Sequence, residues 1–195
     1  TNRSVNQDLI SQTEARGDAL AIIDVDGVYS PAVDNGTATD TPQTITGVVS
    51  EINAAGLDSS YAATYYPNVR LSDTLNGNGT VIIAPPSVAA LGAIAKSEAD
   101  SQPWFAPAGF VRGRLTKPTD VEVVLNQGDR DSMYSGGNCL NPIVNFPQNG
   151  IAIFGQRTTQ RQPTALDRIN VRRMMIYIKK VILASTQRLV FEPND

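Results

Sequence analysis

Trp104 and Phe105 are followed closely by Arg112 and Arg114. Aromatic faces beside guanidinium groups suit stacking on nucleic-acid bases. Asp129, Asp131 and Asn138 carry the oxygen ligands that Ca²⁺ prefers. Each cluster also has a plainer reading, and the plainer one fits better. The net charge is −3, which exerts no overall pull toward a polyanion. Pro103 and Pro107 beside the aromatics point to packing. The acidic run lacks the glycine and the closing glutamate of a Ca²⁺ loop and reads as the solvated start of a helix. The chain contains no His, which excludes Ser-His-Asp and Cys-His catalysis, His-based zinc sites and His-ligated haem. Its one thiol, Cys139, excludes an internal disulfide and a Cys-based metal site.

A second acidic pair is sharper. Residues 21–29 (AIIDVDGVY) place Asp24 and Asp26 after an apolar run. This segment resembles the first motif of haloacid-dehalogenase-type phosphatases. The resemblance implies Asp24 as nucleophile, Asp26 handling the leaving-group proton, and Mg²⁺ on the phosphate. Ser87, Lys96 or Lys117, and residues 128–131 (GDRD) would have to complete such a site. Spacing works against it. Asp131 follows Asp129 more closely than that family's acidic pair, and Lys96 falls inside a predicted helix, away from its phosphate-facing end. A strand closing in an Asx-type turn needs the same Asp and Gly for backbone reasons alone.

The elements that must position these residues alternate. Helices are predicted at 5–16, 43–55, 87–99, 129–134 and 167–188. Strands are predicted at 19–25, 61–71, 81–84, 121–125, 143–146 and 150–154. Ser87 reads as a helix N-cap, residues 31–42 as a loop and residues 76–79 (NGNG) as a turn. This rhythm is that of an α/β (α+β) protein with a mixed sheet flanked by helices. It suggests two lobes, residues 1–60 and 61–195. A chain of 195 residues buries about 70% of its unfolded surface and needs no staples. It has no run of about 18 apolar residues and no signal-peptide pattern, so no membrane insertion is expected. Thr1 stands without an initiator Met, and both ends read as cut.

The last helix has an unusual distribution. Val171, Met174, Met175, Ile178, Val181 and Ile182 form one broad apolar face, while Ile169, Ile176 and Leu183 lie opposite, among Arg172, Arg173, Lys179 and Lys180. Such a helix is either sandwiched within its own domain or covers one core while meeting a further segment or subunit.

Several segments together carry a family resemblance. They are residues 65–67 (YYP), 84–87 (APPS), 103–109 (PWFAPAG), 141–146 (NPIVNF), 150–158 (GIAIFGQRT), 169–173 (INVRR) and 191–195 (FEPND). In this order, over about residues 60–195, the chain resembles the sheath proteins of contractile phage tails. Residues 17–25 (GDALAIIDV) fit an upstream strand of the same family. The resemblance implies a structural subunit, without enzymatic activity or cofactor. Such subunits stack as hexameric rings in a helical array around a tail tube, meet the baseplate, and contract to drive the tube through the host envelope for genome ejection. Their terminal arms add strands to neighbouring subunits.

The implied location is the virion tail, assembled in the host cytoplasm, with no nucleic-acid partner. The chain then reads as a truncated core ending before a C-terminal domain, monomeric by itself. Structural or interface positions are Trp104, Pro107, Gly109, Arg157, Arg172, Arg173, Glu192 and Asp195, with Arg172 or Arg173 paired to Glu192 or Asp195. A non-contractile tail terminator or adaptor is the other structural reading.

Overall fold

The structure, a computed structural model, describes residues 2–24, 44–73, 80–135 and 137–187. Asp26, the 31–42 loop, the 76–79 turn, Glu192 and Asp195 lie outside the described residues. In chain order the elements are α1 (Asn2–Arg16), β1 (Ala21–Ile23), α2 (Ile45–Ala55), β2 (Ala62–Tyr66), β3 (Val69–Ser72), β4 (Val81–Ala84), α3 (Pro86–Asp100) and a single-turn α4 (Gly109–Arg112). They continue with β5 (Asp120–Val121), α5 (Gln127–Tyr134), β6 (Leu140–Phe146), β7 (Gly150–Ile153), a 3₁₀ turn (Ala165–Asp167) and α6 (Ile169–Thr186). The class is α/β with mixed sheets and flanking helices, as the sequence predicts.

One sheet runs β1-β2-β6-β7, with β1, β2 and β6 parallel and β7 antiparallel to β6. β1 thus shares a sheet with strands that lie beyond residue 60. The second sheet, β4-β3-β5, is antiparallel. Every residue of β2 is buried, as expected of a parallel strand covered on both faces. Side chains alternate across it. Ala62 and Tyr66 join Ile10, Val48, Ile52 and Met133, so α1, α2 and α5 cover one face. Ala63 and Tyr65 join Ala89, Ala93, Ile153 and Ile169, so α3 and the start of α6 cover the other. Ile143, Ile153 and Ile169 are fully buried, and each contributes about 2 kcal/mol to the core.

Local chemistry sets the helix ends. The Thr44 hydroxyl accepts from the Gly47 amide at 3.3 Å at the start of α2, and Gly56 closes that helix in the left-handed region at φ 66°. Asn126 and Asp129 exchange side chain-to-amide hydrogen bonds of 2.9 and 3.0 Å in a capping box. Asp129 therefore serves the start of α5, as expected of a helix start.

Three expectations need correction. Residues 61–71 form two strands in different sheets. Pro67 has no N–H to continue a ladder, and the chain turns at the cis Tyr66–Pro67 bond. The 121–125 strand shrinks to Asp120–Val121, because Leu125 leaves the sheet for the hydrophobic core under α2 and α5. Ser87 is not the N-cap of α3. It lies within the first turn, and Pro85 holds the cap position without a side-chain bond. Asp24, distant in sequence, supplies the anchor. Its carboxylate accepts from the Ser87 amide at 3.1 Å and the Ser87 hydroxyl at 2.5 Å.

Candidate functional site

The segment around Trp104 is held by its own side chains. The Trp104 ring packs on Tyr177 of α6 with centroids 5.2 Å apart. The Arg112 guanidinium sits 4.9 Å over the Phe105 ring and donates to the Ala106 carbonyl at 3.1 Å. This arginine closes its own loop. Pro107 is buried, and Gly109 opens α4 at φ 83°, a conformation that favours glycine. Gly113, which the sequence reading passes over, is as constrained. A Cβ there would lie 2.6 Å from the Ala108 Cα. Its signal is spatial, since only the folded loop brings residues 108 and 113 together. The Leu115 amide donates to the Ile151 carbonyl and the Ile153 amide to the Gly113 carbonyl, each at 2.9 Å, which stitches the loop to β7.

Beside this stitch lies an exposed aromatic group. Phe110 meets Phe146 at 4.9 Å and Phe154 at 5.5 Å, and Arg130 lies 5.3 Å over Phe146. A cleft of about 680 Å³ opens between Gly109, Arg130, Tyr134, Phe154 and Arg168.

A buried polar frame supports these surfaces. Asn141 on β6 is fully buried. Its amide donates to the Thr64 carbonyl at 3.0 Å and the Arg157 carbonyl at 2.8 Å, and its oxygen accepts from the Arg157 amide at 2.7 Å. It thereby clamps β2, β6 and the segment after β7 together. Arg157 donates to the Tyr134 carbonyl at 3.0 Å and stands 3.6 Å from Asp167, both side chains nearly buried. The Cys139 thiol is buried and points at the Gln160 carbonyl at 3.2 Å. Burial pushes that thiol above its ordinary pKa, which makes it a poor nucleophile.

α6 turns the two arginines of its first half inward, while Lys179 and Lys180 farther along are exposed. Ile169, Arg172, Arg173 and Ile176 are its buried residues. Arg172 stacks on Tyr61 at 3.9 Å and donates to the Ser60 hydroxyl. Arg173 meets Glu98 of α3 at 2.8 Å. Both arginines therefore have partners within the fold, while Glu192 and Asp195 fall outside the described residues. The broad apolar face, with Met175, Ile178, Val181 and Ile182, is exposed. Of the two readings of this helix, the exposed face favours one that meets something beyond the described fold.

The sequence-predicted positions thus divide. Trp104, Pro107 and Gly109 build one loop, Arg157 lies in the polar frame, and Arg172 and Arg173 line α6. They do not converge on a reaction centre. Among the described residues no three His, Cys, Asp or Glu side chains gather as a metal site. No helix among them is long and apolar enough to cross a membrane. Asp24 already occupies the anion-binding end of α3, where a phosphate would sit.

No family profile matches the chain. Individual proteins do. The tail sheath protein of Vibrio phage KVP40 is 39% identical over 104 residues, covering 53% of this chain and 15% of that protein. The tail sheath protein of Enterobacteria phage T4 is 26% identical over 203 residues, covering 100% of this chain and 29% of that protein. The chain therefore spans less than a third of the curated relatives it matches. Among solved structures, the PVC sheath complex of an extracellular contractile injection system, in its contracted state, superposes with a TM-score of 0.64 at 25% identity. That match covers 80% of this chain and 40% of the other. The likeness to tail sheath proteins read from short motifs is thus present in both sequence and fold.

Proposed function

We propose that this chain is a structural portion of a contractile tail sheath subunit, and that it works by assembly, without turnover of a substrate. The observation that carries this reading is the alignment of the entire chain with a phage tail sheath protein. The fold likeness to a contracted sheath complex supports it. The subunit stacks in hexameric rings around a tail tube, adjoins the baseplate and acts in the virion tail after assembly in the host cytoplasm. Contraction releases energy held in a metastable array, and the chain supplies rigid surfaces for that rearrangement. Its buried arginines and Asn141 suit such a role, because a shared polar frame keeps the layers in register while outer contacts change. The dilute, isolated chain is a monomer.

Cryo-electron microscopy of tails from the source phage tests the reading. A sheath portion appears at every ring along the tail. Density at one end of the tail would replace it with a terminator, and absence from the tail would end it.

A further inference from the structure

The cleft beside the aromatic group holds polar groups that the fold leaves unmatched. Tyr134 is fixed there from three sides. Arg157 lies 5.6 Å over its ring, and its hydroxyl oxygen accepts from the Gln156 amide and from Arg168, each at 3.2 Å. On the third side Gly155 lies so close that a Cβ would come within 2.9 Å of the ring. The two accepted bonds use both lone pairs of the hydroxyl, so its proton is left to donate elsewhere. Gln156 also lines the cleft, and its Oε1 is buried with no hydrogen-bond partner among the described residues. A buried polar atom in that state points to a further group that completes it.

Two charges border the same cleft. Arg130 and Asp131 both line it, and among the described residues neither forms an ion pair. As sequence neighbours on α5 they do not face each other. The Arg130 guanidinium lies 5.3 Å over the Phe146 ring and 5.8 Å over the Phe154 ring. Stacking occupies the flat face of the guanidinium and leaves its in-plane N–H donors open to a carboxylate. Phe154 is 44% exposed and lines the cleft, which adds an aromatic wall. At about 680 Å³ the cleft has the size of a small-molecule site.

We propose that this cleft binds a free aromatic α-amino acid as its zwitterion. The ligand carboxylate meets the Arg130 guanidinium and the Tyr134 hydroxyl proton. Its ammonium group meets Asp131, with the Gln156 Oε1 as a second acceptor, and its ring packs on Phe154. The ligand carries one charge of each sign, as the cleft does. A ligand that lacks either charge leaves one side of the cleft unmatched, which is the source of selectivity. The walls come from α5, the loop before α4 and the segment after β7, so an occupant bridges three segments of the chain. The inference goes beyond the sheath reading and does not depend on it.

The test uses the full chain and L-phenylalanine as the probe. Two-dimensional NMR spectra over a titration should show saturable shifts at the amides of Arg130, Tyr134 and Gln156. Phenylacetate, which lacks the ammonium group, and phenethylamine, which lacks the carboxylate, should each bind the parent chain about tenfold more weakly. Arg130→Gln and Asp131→Asn should each weaken L-phenylalanine binding about tenfold while keeping the parent's circular dichroism. Arg114→Gln, at a residue that does not line the cleft, should bind as the parent does. No saturable shift up to the solubility limit of the amino acid overturns the inference. So does phenylacetate or phenethylamine binding as tightly as L-phenylalanine, a comparison that needs no variant to fold. Folded Arg130 and Asp131 variants that bind undiminished also overturn it. None of these results alters the sheath reading, which the position of the protein in the tail decides separately.

Discussion

Asn141 shows how one polar residue holds several segments. It makes three hydrogen bonds in a dry interior, and its replacement leaves the Thr64 and Arg157 carbonyls and the Arg157 amide without that partner. Asn141→Ala should cost about 3 kcal/mol, read as a lower urea midpoint with an unchanged slope. A cost near zero would mean that water replaces the side chain. Tyr66 gives a pH prediction. Its phenol is raised from 10.0 to about 12, first by burial and then by Glu122 and Asp129. A folded value above the unfolded one stabilises the protein below pH 10, and that stabilisation is lost as pH rises toward 12. Burial pushes Tyr65 the same way. Alkaline unfolding should therefore fall in this window, with phenolate absorbance rising as circular dichroism is lost. Tyr66→Phe should move the midpoint to higher pH.

Elements differ in how they tolerate a methyl group, and two glycines show it. In α3, Gly92 has open space where a Cβ would go. Gly92→Ala should stabilise by about 1 kcal/mol through helix propensity. Gly113 faces backbone atoms at 2.6 and 2.7 Å. Gly113→Ala should destabilise by about 2 kcal/mol or more, since backbone cannot move aside as a side chain would. Thermal unfolding of the two variants in parallel checks the contrast, and equal effects would refute the loop geometry. The segment around Trp104 was legible as a motif, with Pro107 and Gly109 conspicuous by type. Gly113 was not, because its constraint arises only when the loop folds back on itself.

For the whole molecule, the exposed face of α6 separates folding from assembly. Ile182 is 56% exposed and Val181 lies beside it at 45%. V181Q/I182Q should leave the unfolding midpoint within about 0.5 kcal/mol of the parent, because neither side chain supports the core. The same variant should join tail arrays poorly, measured by its share in virions when co-expressed with the parent. A large loss of stability would instead place these residues in the core.

Composition and spacing alone carried much of the reading. The absence of His, the single Cys139 and the net charge narrowed the chemistry. Apolar patterns with turn and end signals located α1, β1, α2, β4, α3, α5, β6, β7 and α6, and motif order pointed to a sheath-like fold. These are properties of neighbouring residues, so they survive without three-dimensional information. Tertiary structure decided the rest. It separated β2 from β3 at Pro67, made Asp24 the anchor of α3 in place of Ser87, and turned Arg172 and Arg173 inward while the apolar face of α6 faced out. In each case the partner is far along the chain: Ser87 for Asp24, Glu98 for Arg173, Tyr61 for Arg172. Which face of a helix is buried depends on what lies across from it, and periodicity alone cannot supply that.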